Sequence, residues 1–138
     1  MAQILYVYSG KVRPTAGGLD LVVRQELQAL TEAGHQITFL SRGAYSNNNV
    51  KNISLKITPA NLLSHLKSHY YYCAQHRFFS MVGSWVLRTG KFDLVIGWLQ
   101  QSRSLFRNAH KLGVPCALNC VVHYRRPSGY ETENYAWP

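Results

Sequence analysis

Acidic residues are scarce in this chain: Asp and Glu number 6 against 15 Lys and Arg, a formal charge of +9 over 138 residues. The imbalance favours anionic partners through the field of the whole molecule, so nucleic acid, anionic lipid and phosphorylated small molecules come first. The bases are scattered, with Arg125-Arg126 the one adjacent pair of arginines. No recognisable nucleic-acid module emerges from that scatter, and nucleic acid is set aside as a partner. Cysteine is rare too. Cys73 stands alone, and Cys116 and Cys120 fall four apart in a predicted strand, about 13 Å from each other and too far to bridge. That excludes a disulfide scaffold and predicts reduced, buried thiols. Long apolar runs are also missing: no segment approaches the roughly 20 residues of a membrane-spanning helix, and no basic stretch precedes a signal-type apolar one. Neither His110 nor the histidines of the long helix stand at metal-ligand spacing from cysteines or carboxylates, so no metal site is expected. Asn52-Ile53-Ser54 matches a glycosylation acceptor and reads as accidental without a secretion signal.

What is present is the pattern of an α/β domain. With 46% hydrophobic residues the chain has material for one sizeable core. Ile4-Leu5-Tyr6-Val7-Tyr8 is an unalternating apolar run, as a central parallel strand covered on both faces requires. A loop over residues 9–18 ends in Gly17-Gly18, where a helix begins. Unsatisfied N–H groups and the positive end of the helix dipole make that spot a candidate for a phosphate or polyol, while the same glycines also serve simply to turn the chain. Leu19, Val23, Leu27 and Leu30 recur at helical spacing, Val22, Ala29 and Ala33 widen their face, and Gly34 ends the helix. Residues 36–40 form the second strand, 44–52 an exposed loop, and 53–58 a half-exposed strand stopped by Pro59.

A long helical region is predicted over residues 61–89, broken or kinked near residues 80–84, where Gly83 sits. Its stripe of Leu62, Leu66, Tyr70, Cys73, Met81 and Trp85, with Arg77 in line, is expected to pack on the sheet. The alternative is that this basic, aromatic helix lies on an anionic membrane surface. A fourth strand spans 91–97, Ser102 caps a helix ending at Gly113, and a fifth strand spans 115–122. Together these imply an open parallel Rossmann-like sheet with helices on both faces, strand order 3-2-1-4-5. Ligands of such sheets collect at the carboxyl ends of the strands where the order reverses, the edge that carries Gly17, Gly18, Trp98 and His123. A histidine at the end of the fifth strand can bond a sugar hydroxyl, move a proton, or merely cap a carbonyl.

Pro14-Thr15-Ala16-Gly17-Gly18, the following helix, and Ala33-Gly34-His35-Gln36-Ile37-Thr38 resemble the amino-terminal signature of GT-B glycosyltransferases of the family 4 type. The resemblance implies a single Rossmann-like unit over residues 1–138, the incomplete amino-terminal, acceptor-side domain of a two-domain retaining enzyme. It implies Gly17 and Gly18 as contacts of the donor diphosphate or the acceptor, Trp98 as a surface that stacks on sugar, and His123 as the active-site histidine. At Gly97-Trp98-Leu99-Gln100 the family carries a histidine-containing turn instead. A nucleotide sugar is the expected donor substrate, with no cofactor, a glycan or lipid-linked acceptor, and a carboxyl-terminal partner domain. The expected location is cytoplasmic, with the inner membrane face as the docking surface. The isolated chain is expected to be inactive. A non-catalytic phosphate- or anionic-membrane-binding Rossmann-like domain, or a gene remnant, is the second reading. A third is an NADP-dependent oxidoreductase, in which Arg42 meets a 2′-phosphate.

Overall fold

A computed structural model describes residues 1–15, 17–65 and 68–120. In chain order it contains β1 (Gln3–Val7), α1 (Leu19–Glu32), β2 (Gln36–Ser41), β3 (Val50–Ser54), a 3-10 turn (Pro59–Leu63), α2 (Ser68–Thr89), β4 (Leu94–Trp98), α3 (Arg103–Lys111) and β5 (Cys116–Asn119). The five strands form one sheet in the order β3-β2-β1-β4-β5, every neighbouring pair parallel. The fold is thus the open Rossmann-like α/β sheet that the apolar runs predict.

The alternation of a strand explains its two cores. Ile4, Tyr6 and Tyr8 join Val23 and Leu27 of α1, Ile37 and Phe39 of β2, and Ile96 and Trp98 of β4. Leu5 and Val7 point the other way, into a cluster with Phe79, Val86 and Leu87 of α2 and Leu105 and Ala109 of α3. β1 is therefore buried on both faces, which is why its sequence shows no polar alternation. Gly34, at φ 83°, stops α1 as predicted, with its amide on the Thr31 carbonyl and that of His35 on the Leu30 carbonyl.

Several boundaries differ from expectation for identifiable reasons. β3 starts at Val50, three residues before the predicted strand, because Asn47 builds a tight turn: its side chain accepts from the Asn49 amide and its carbonyl from the Val50 amide. The edge strand is complete by Ser54, and Ile57 is left outside it and exposed. The long helix is not broken at residues 80–84; it runs continuously from Ser68 to Thr89. Gly83 is instead a point of close approach, where a Cβ would lie 3.2 Å from Val7 and 3.4 Å from Leu105.

The face of α2 is also reversed. Tyr70, Cys73, Arg77, Met81 and Trp85, expected to pack on the sheet, are exposed, and the buried face is Gln75, Phe79, Ser80, Gly83, Ser84, Val86 and Leu87. Small residues let the helix approach β1 and α3 closely, and that outweighs the size of the aromatic side chains opposite. The three cysteines, expected to be buried, are exposed. Ser102 stands at the amino end of α3 without capping it, its hydroxyl donating to the Trp98 carbonyl instead.

Candidate functional site

The carboxyl ends of β1 and β4, neighbours across the point where strand order reverses, are tied together by their following loops. The Ser9 amide donates to Oε1 of buried Gln101 at 2.9 Å, and the Arg42 amide after β2 donates to the Gly10 carbonyl at 3.0 Å. Tyr8 donates to the Asp20 carboxylate at 2.8 Å, fastening the end of β1 to the first turn of α1, and Arg24 donates to the Pro14 carbonyl. Burial and then the Asp20 carboxylate push the Tyr8 phenol well above its ordinary value.

Gly17 and Gly18 lie exposed between that loop and α1, with open space where a side chain would go. Gly18, at φ 66° and ψ −135°, is the residue from which α1 starts; glycine suits this backbone shape, and no neighbour crowds the position. Asp20 already sits in the first turn and answers part of the helix dipole.

Trp98 is placed differently from the expectation. It is the last residue of β4, 3% exposed, tilted against Tyr8 with ring centroids 5.7 Å apart. Its indole donates to the Tyr6 hydroxyl at 3.2 Å, so the ring is a core side chain with no face open to a sugar. Tyr6 in turn donates to the Glu26 carboxylate of α1, and Asn119 of β5 donates to Glu26 at 2.6 Å and to Tyr6 at 3.2 Å. Burial first, then Glu26, drives the Tyr6 phenol far above its usual range. This network gives the polar atoms under α1 their partners and locks α1 over β1, β4 and β5. Glu26 carries no motif, and only the tertiary fold makes it part of this edge. His123, the expected catalytic residue, lies outside the described residues.

A feature absent from the expectations opens beside this edge. A cleft of about 420 Å³ lies between α2 and the start of α3, lined by His76, Arg77, Ser80, Gln100, Gln101, Arg103, Ser104 and Arg107. An adjoining space of about 550 Å³ shares His76, Arg77 and Gln100 and adds Ser68, His69, Tyr72 and Cys73. Gln100 holds a positive φ of 72°, the one such non-glycine among the described residues. Burial lowers the proton affinity of His76 below the ordinary histidine value. Arg103 and Arg107 are spaced four apart in the sequence, the signal by which one helical face carrying both could have been anticipated.

No family model matches the sequence, and no curated protein matches it. Two crystal structures of the C-terminal domain of a hydrogenase from Pyrococcus furiosus are similar in fold. One aligns with a TM-score of 0.55 at 17% identity, covering 86% of this chain and 91% of that one. The other gives a TM-score of 0.48 at 16% identity over the same shares. At such identity the first likeness speaks to the fold alone, and it agrees with the parallel sheet and flanking helices described above.

Proposed function

We propose that this chain is the acceptor-side portion of a retaining, nucleotide-sugar-dependent glycosyltransferase. The observation that carries the reading is the joined edge itself: the loop leading to Gly17-Gly18 is bonded through Ser9 to Gln101, at the strand ends where ligands of open parallel sheets collect. The motif over residues 14–18 and the Gly34-His35 turn add the resemblance to family 4 enzymes. In this reading the amides at Gly17 and Gly18 face the donor diphosphate or the acceptor, and His123 faces the reacting sugar. Stabilising a sugar cation and a departing diphosphate requires a second domain closed over the edge, so the isolated chain does not turn over.

The test is release of nucleoside diphosphate from a panel of nucleotide sugars by the native polypeptide purified from its source cells. Release that is lost in His123→Ala is the expected result, with none from the 138-residue chain alone. Failure of the native polypeptide to release diphosphate from any donor overturns the reading.

The exposed face of α2 supports contact of the same domain with an anionic membrane. Trp85 is 66% and Met81 61% exposed, Tyr70 lies along the same face, and Arg77 stands among them. No helix among the described residues is long and apolar enough to cross a membrane; in this reading the contact is peripheral.

A further inference from the structure

Three arginines, Arg77, Arg103 and Arg107, line the cleft between α2 and α3, and among the described residues no carboxylate lines it or the space that adjoins it. Such a concentration of one charge is self-repulsive, and an anion relieves it. The placement of two of these arginines runs against local electrostatics. Arg103 is the first residue of α3, at the end whose dipole repels cations, and Arg107 follows one turn later in mid-helix, at the spacing where like charges repel each other. A helix favours acidic residues there, and α3 has none in its first turn. Local conflicts of this kind are expected at functional or strained sites.

The rest of the lining defines the remainder of the ligand. Ser104, Gln100, Gln101 and His76 supply neutral hydrogen-bonding groups beside the arginines, while His69, Ser68 and the exposed ring of Tyr72 line the adjoining space. Hydroxyls, amides and an aromatic face suit a polyhydroxylated ligand, and the combined volumes fall in the range of a small-molecule site. We infer that this cleft binds a phosphorylated polyol, its phosphate on Arg77, Arg103 and Arg107 and its hydroxyl-bearing part in the adjoining space. The site rests on its own charge and shape, apart from the sugar-transfer reading.

Calorimetric titration of the full chain at low salt with glucose 6-phosphate, glucose and inorganic phosphate tests it. Glucose 6-phosphate binds, inorganic phosphate competes, and glucose does neither. Arg103→Gln and Arg107→Gln each weaken binding about tenfold, the loss of one charge-assisted hydrogen bond. Lys51→Gln, on the exposed edge strand β3, leaves binding unchanged. Unaltered circular dichroism of the arginine variants, which are exposed and outside both cores, separates lost binding from lost folding. Three results overturn the inference: no binding of either phosphate, equal weakening in Lys51→Gln, or binding confined to phosphatidylglycerol vesicles that soluble phosphate ester does not displace.

Discussion

Tyr6 is the residue on which the packing of the sheet's carboxyl-terminal edge depends most directly. Its hydroxyl receives the Trp98 indole and the Asn119 amide while donating to Glu26, so four elements meet at one buried oxygen. Tyr6→Phe keeps the ring and its edge contact with Phe39 but leaves the Trp98 N–H and the Glu26 carboxylate short of a partner. Urea denaturation is expected to show a loss of about 1–3 kcal/mol, the cost of stranding buried polar groups. A change indistinguishable from zero would mean that solvent reaches the network. His76 gives the second expectation at this scale. Burial depresses its folded-state proton affinity, so the folded chain takes up a proton less readily than the unfolded chain does. Its contribution is fully present above the unfolded value near 6.5 and declines as pH falls below it. Histidine NMR should place its titration below that of a free histidine, and His76→Gln should flatten the pH dependence of stability over the same window.

At the scale of the element, α2 shows how one helix divides its buried and exposed residues between two faces. Phe79 is fully buried among Leu5, Val7 and Leu105, whereas Trp85 stands opposite in solvent. Phe79→Ala is expected to cost about 3–5 kcal/mol through lost burial and the cavity left behind. Trp85→Ser should change stability by about 0.5 kcal/mol or less. Co-sedimentation with phosphatidylglycerol vesicles should reverse that ranking: Trp85→Ser lowers binding, and phosphatidylcholine vesicles recruit neither variant. Equal sedimentation with both lipids would remove the membrane contact from the account of this face. The mistaken expectation for α2 has a physical source. Periodicity reports that a helix has two faces, and the larger apolar residues ordinarily mark the inner one. Here Gly83, Ser80 and Ser84 mark it, because close approach to β1 and α3 requires small side chains.

At the scale of the whole molecule, the chain combines a formal charge of +9 with a five-stranded parallel sheet. The fold was legible in the sequence to a large extent. β1 had to be central because its residues are apolar on both faces, Gly34 had to end α1, and the alternation of strands with helices left a parallel sheet as the economical arrangement. Element type follows from periods of hydrophobicity and from turn residues, which are local properties of the chain, and strand order from the rules for connecting the elements. The candidate site was legible only in part. Gly17 and Gly18 announce themselves by composition and spacing, and they do lie at the exposed start of α1. Trp98 was misread because a tryptophan at a strand end looks available until Tyr6, Tyr8 and α1 are seen to enclose it. Glu26 and the arginines of the cleft were missed because their meaning depends on partners up to 93 positions away in the chain, as in the contact of Glu26 with Asn119. The sequence by itself determined the strands, helices and net charge, each set by near neighbours or by simple addition. Which face of α2 turns inward, which aromatic is core, and where the positive charges converge were decided by the tertiary structure, because packing joins residues that no local pattern connects.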